Sequence, residues 1–170
     1  MRNKSDTPTR GEVSERVEKS KEQMDEKVND LDLIATDAET VRGTLESLDL
    51  NGTSEGSDAV ESAIEEAENV TVEKFDEEDE ALQEVQSDME DFEGELQERT
   101  DSSESDSEQV SEAIGQITTE ETKGELEQAK SEIDDDIEFL KEQNETAREA
   151  REENTQLQQE HRSRVQGGKR

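Results

Sequence analysis

The residues best spaced to do chemistry lie between two amphipathic stretches: Asp49, Asn51, Thr53, Gly56 and Glu61, within "DLNGTSEGSD" and just beyond it. Oxygen-bearing side chains at alternating positions, a glycine and a later glutamate are how a helix–loop–helix calcium site is written. Such a loop needs oxygen ligands at positions 1, 3, 5, 7 and 9, glycine at 6 and a bidentate glutamate at 12. Counted from Asp49, position 6 is Ser54 and position 12 is Val60; Gly56 comes two places late and Glu61 one place late. Thr53 offers only a neutral hydroxyl at position 5. The turn lacks its glycine and the cage its carboxylate, so no metal is expected here. The architectural alternative uses the same residues: Gly52 stops one helix, and Asp58 with Glu61 opens the next as a capping box.

The rest of the chemical inventory is thin. His161 is the single histidine and cysteine is absent. No glycine-rich phosphate loop or nucleophile elbow occurs. The acidic runs at 73–80, 88–98 and 132–138 are rich in carboxylates. On a helix, however, consecutive side chains point around the cylinder instead of converging. Solvated faces are expected, with no catalytic, cofactor-binding or metal-binding residues and no enzymatic activity.

Composition narrows what can position anything. Acidic residues number 52 against 19 basic, for a net charge of -33, and Phe75, Phe92 and Phe139 are the only aromatics. Leu, Ile, Val and Phe total 29 of 170 residues, about 17%, below the ~20% at which a highly charged chain usually builds a broad core. A narrow seam between long helices is the foldable solution. Residues 31–140 carry 5 basic and 38 acidic groups, net -33, whereas residues 1–30 are net -1 and 141–170 net +1. Such a middle repels itself in dilute buffer, and molar salt, with a Debye length of ~3 Å, screens most of that repulsion. The expected habitat is therefore a salt-accumulating cytoplasm. Neither a signal peptide nor an apolar run of ~20 residues is found, so no membrane span is expected. The Asn-x-Ser/Thr triplets at Asn3, Asn51, Asn69 and Asn144 are read as chance in a Ser/Thr-rich chain.

Periodicity supplies the elements. Val17, Met24, Leu31, Ala38 and Leu45 recur every seven residues, with Ile34, Val41 and Leu48 as companions and Val28 and Ala35 widening the middle. This predicts a helix over about 12–50, the part from Val13 to Leu50 spanning ~57 Å. A second helix, about 57–98, carries Val60, Ile64, Ala67, Phe75, Leu82, Val85, Met89, Phe92 and Leu96. The eight-residue step from Ala67 to Phe75 predicts an irregularity near 69–73. The apolar-free stretch 100–109 predicts a loop, with Ser105 and Glu108 capping a short helix through Val110, Ile114 and Ile117. After a break near Thr118, with Thr118 and Glu121 as a further capping box, a long helix follows through Leu126, Ala129, Ile133, Ile137, Leu140, Ala147, Ala150 and Leu157. Asn154 and His161 fall where the seam calls for apolar residues, so this helix is expected to lose its core and project into solvent or toward a partner.

The expected fold is all-α: an elongated antiparallel helical bundle or coiled coil of two long helices plus a third, broken C-terminal helix projecting beyond it. Residues 1–11 form a polar lead, 12–140 the acidic bundle, and 141–170 a charge-balanced extension with a basic tail. In that tail Arg148, Arg151, Arg162, Arg164, Lys169 and Arg170 are the candidate partner-binding residues. The expected function is a non-enzymatic structural or assembly protein of a salt-adapted cell or its virus, cytoplasmic, meeting itself or a protein partner through helices. The alternative is an acidic module that mimics nucleic acid or sequesters a basic partner. Nucleic acid is not the expected partner, because the basic tail lacks interleaved aromatics. Peripheral contact of the tail with a membrane surface is a further expectation. A scaffold using its tail should lose its partner when 141–170 are removed, whereas a mimic should still bind through 31–140.

Overall fold

Three helices form where local chemistry starts and stops them. The structure is a computed structural model that describes residues 7–167. Thr9 caps the first helix: its hydroxyl accepts from the Glu12 N–H at 3.1 Å, and its carbonyl accepts from Val13 N–H at 3.1 Å. From there α1 runs Arg10–Ser47, α2 runs Ser54–Gln116 and α3 runs Glu120–Gln166, with no strand among the described residues. The all-α helical bundle expected from periodicity is present.

The turn at 48–53 is built differently from its prediction. The left-handed residue is Leu50, with φ 51°, and no described glycine has positive φ. Thr53, not Asp58, caps α2: its hydroxyl accepts from Gly56 N–H at 3.1 Å, while Ser57 Oγ donates back to the Leu50 carbonyl at 2.9 Å. Threonine, like aspartate, is a preferred capping residue, and Thr53 immediately precedes the first helical residue, Ser54. Thr53→Ala should lower stability by ~1 kcal/mol, measured as a shift of the thermal midpoint in concentrated KCl.

Two further expectations are corrected. The stretch 69–73 is unbroken helix: Thr71 is buried, its hydroxyl donates to the Ala67 carbonyl at 2.8 Å, and two successive four-residue steps (67, 71, 75) absorb the slip. The predicted loop at 100–109 is also helical, so α2 does not end near residue 98, and Ser105 with Glu108 caps nothing. There the seam continues in small hydroxyl residues. Thr100 is buried and donates to the Leu96 carbonyl at 2.8 Å, and Ser107 donates to Asp134 Oδ1 at 2.7 Å. Residues 110–116 thus finish α2 instead of forming a separate helix, and 117–119 separate α2 from α3.

The chain divides into two compact units, to each of which all three helices contribute a segment. One takes α1 up to Lys21 together with Ser87–Ala150; the other takes Glu22–Gln86 and α3 from Arg151 onward. In the first unit Val13, Val17, Met89, Phe92, Leu96, Leu140, Ala147 and Ala150 are buried. The Arg16 guanidinium lies 4.0 Å from the Phe92 ring centroid and also pairs with Glu95 at 3.5 Å. Antiparallel placement of α2 and α3 here follows from Ser107 meeting Asp134 and Glu104 meeting Lys141 at 3.0 Å.

In the second unit Met24, Val28, Leu31, Ala35, Ala38, Phe75 and Leu82 are buried. The companions of the seven-residue repeat in α1 are therefore Val28 and Ala35, four residues after Met24 and Leu31. Ile34 is only half-buried, and Leu45 and Leu48 are exposed. Ile34 lies one residue before Ala35, and 100° of rotation carries it off the seam. The last part of α3 is packed in this unit rather than projecting: Asn154, Gln158, His161 and Val165 are all buried.

Candidate functional site

The predicted partner-binding arginines fall on α3, where periodicity places successive members on different faces. Arg148 is exposed and pairs with Glu145, one turn back, at 2.9 Å. Arg151 is half-buried and has its own partner. Lys169 and Arg170 lie outside the described residues. The other two are turned on the chain's own acids. Arg162 reaches Asp79 on α2, which also accepts from Gln158 Nε2 at 2.6 Å, and Gln158 in turn accepts from Gln86 at 3.2 Å. Asp79 and Gln158 are buried, so their hydrogen bonds satisfy groups that would be costly to leave unpaired.

Arg164 is the centre of a second cluster. Its guanidinium donates to Asp32 at 2.6 Å, to Glu39 and to Thr36 Oγ1 at 3.0 Å, while Arg42 on α1 donates to the Arg164 carbonyl at 2.8 Å. His161 Nδ1 sits 3.1 Å from Arg164 Nη1. The hydrogen bond from Arg164 holds the Asp32 carboxyl below its ordinary value, and those carboxylates raise Arg164 in return. Asp134 is lowered likewise by donation from Lys130 and Ser107, and Lys27 is raised by its hydrogen bond to Glu78. A carboxyl depressed in the folded state stabilises above its unfolded value and loses that contribution as pH falls through the folded one. The difference in thermal midpoint between the wild type and Asp32→Asn should therefore be full above pH 3.8 and close as pH drops below it. Comparing the two proteins at each pH removes the general relief of self-repulsion that acid brings to every carboxylate.

Among the described residues none is buried between 39 and 70 or between 108 and 139. These are the two hairpin ends, α1 into α2 and α2 into α3. Their apolar positions, among them Val41, Ile64 and Ala67 in one and Val110, Ile114 and Leu126 in the other, are half-buried. The first end differs from the second. Among the described residues, Leu33 (65% exposed), Leu45 (38%), Leu48 (39%), Val60 (37%) and Val70 (47%) are the exposed large hydrophobic residues, and all lie between 33 and 70, in α1, α2 or the turn that joins them. Leu33, Ile34 and Val70 line a groove of about 400 Å³ whose rim carries Asp30, Asp37, Lys74 and Glu78. Leu33, Ile34 and Val70, apolar side chains sharing one groove with a polar rim, form a candidate interaction surface.

Ile34, Leu45, Leu48 and Val60 belong to the predicted seams, whereas Leu33 and Val70 fall outside them, and a local pattern does not show that the chain's own helices leave the site open. A smaller cleft of about 100 Å³ in the first unit is lined by Pro8, Phe139 and the ion pair of Arg10 with Asp136 at 3.2 Å. It has no comparable apolar exposure. No helix is long and apolar enough to cross a membrane among the described residues.

No family model, curated protein or solved structure matches this chain.

Proposed function

We propose that this chain is a non-enzymatic assembly protein that works by helix–helix contact, its incomplete hairpin ends accepting a helix from another molecule. The observation that carries the reading is the absence of any buried residue over 39–70 while that segment keeps a regular run of Leu, Ile and Val. A helical hairpin with a half-exposed seam gains apolar burial when another helix completes it. The acidity of residues 31–140 supports work in a salt-rich cytoplasm, where self-repulsion is screened.

Sedimentation equilibrium of the full chain, with and without amphipathic helical peptides of either charge, tests the reading. The expected result is association, with itself or with one of the peptides, that protects amides of 39–70 from hydrogen exchange. A chain that stays at 19.2 kDa and binds neither peptide would overturn it.

A further inference from the structure

The surface over α1 and α2 between residues 33 and 70 has a charge as well as a shape. That segment holds 10 acidic residues and 1 basic residue, net -9. Its single basic residue, Arg42, is directed to the backbone of α3 by hydrogen bonds to the Arg164 and Val165 carbonyls. Along the groove, Lys74 pairs with Glu77 at 3.6 Å and Lys27 with Glu78 at 2.8 Å, so each cation present is already matched by a carboxylate. At the few ångströms of a direct contact, which even the ~3 Å Debye length of molar salt does not fully screen, a second copy of this chain seated on the surface would set net -9 against net -9. A helix with an apolar stripe flanked by Lys and Arg would bring the opposite sign to the same apolar floor. Complementary potentials of this kind steer association and discriminate against like-charged partners.

We propose that the open α1–α2 seam docks a basic amphipathic helix of another protein, its apolar stripe on Leu33, Ile34 and Val70 and its cations toward Asp30 and Asp37. This rests on the helix-assembly reading and names the chemistry of the partner. From Leu33 to Leu45 α1 rises about 18 Å, a little over three turns of helix. The arrangement is that of a helix laid in a groove, with affinity from the apolar stripe and choice of partner from the flanking charge.

The test uses the full chain and three labelled peptides of about 18 residues, a length of about 27 Å. One places Leu at helical seam positions and Lys elsewhere, one has the same Leu with Glu, and one has the same Lys with Leu replaced by Ser. Fluorescence anisotropy in about 0.1 M KCl, where screening acts over ~10 Å, reads the affinity. The Leu/Lys peptide is expected to bind one to one, at least tenfold more tightly than either control. Leu33→Ser with Val70→Ser should weaken that binding at least tenfold. Both side chains are exposed, and unchanged helical circular dichroism in the variant confirms that the loss is local. Equal affinity for the Leu/Lys and Ser/Lys peptides, or no effect of the double substitution, would overturn the proposal as mere charge attraction. Preference for the Leu/Glu peptide, or dimers that the double substitution dissolves, would also overturn it while leaving the helix-assembly reading intact.

Discussion

Truncation after Ala150 should strip hydrogen-exchange protection from residues 22–86, well beyond the residues removed. The deleted segment carries Asn154, Gln158, His161 and Val165, all buried in the second unit. Without them Leu31, Ala35, Phe75 and Leu82 lose a covering helix, and burial of a side chain of the Leu or Phe class contributes roughly 1.5–3 kcal/mol. Asp79 would lose Gln158 and Arg162 together, and Asp32 and Glu39 would lose Arg164. Removing an arginine from a mostly buried carboxylate leaves a charge without compensation, which adds to the apolar loss. The expected readout is helicity reduced by more than the deleted residues account for, with fast exchange mapped by mass spectrometry to α1 and α2 of this unit. Slow exchange over 22–86 in the truncated chain would show that α3 is dispensable there. Removal of the C-terminal region thus cannot separate a scaffold from an acidic mimic, because it dismantles the surface either would use.

Phe92→Ala is the second large effect, expected to cost about 3–4 kcal/mol of stability. Phe92 is 5% exposed, and Arg16 lies over its ring face. Deleting the ring removes the transfer energy of the largest side chain at that level of the first unit and leaves a cavity that helices held on both sides cannot fully close. It also removes a cation–π contact at a partly exposed arginine, a smaller contribution of ~0.5–1 kcal/mol. Phe92→Leu keeps much of the volume and loses the ring face, so it should fall between the two. Thermal melting in concentrated KCl, where repulsion is screened, gives the comparison. An unchanged midpoint for Phe92→Ala would mean that the seam through Met89, Phe92 and Leu96 does not hold the unit together.

What could be read in advance was the part of the fold written in apolar spacing. The seven-residue recurrence of Val17, Met24, Leu31 and Ala38 and the run from Phe75 to Leu96 located the helices and most of the core. Where the seam is polar, the same logic failed. Thr100 and Ser107 resemble a loop because hydroxyls favour turns, yet Thr100 satisfies its hydroxyl on its own helix and Ser107 on α3. Asn154, Gln158 and His161 resemble a solvent face for the same reason. The roles of Arg162 and Arg164 were out of reach, because their acidic partners lie 83 and 125–132 residues away in sequence. The candidate site was half legible: Ile34, Leu45, Leu48 and Val60 lie in the predicted seams, but Leu33 and Val70 do not, and a local pattern does not tell a covered stripe from an open one.

Those polar seam residues also act as a ruler. In a uniform Leu and Val seam, sliding α3 by one seven-residue repeat would exchange like for like and cost little. Here a slide that moves Val165 into the place of Gln158 takes one hydrogen-bond donor from Asp79 and carries Arg164 away from Asp32 and Glu39. The opposite slide brings Leu157 to the place of Arg164, against Asp32 and Glu39. Either misalignment strands carboxylates that the correct one pairs. In a chain this poor in bulky side chains, alignment is chosen less by the shape of its core than by which acids would otherwise be left alone.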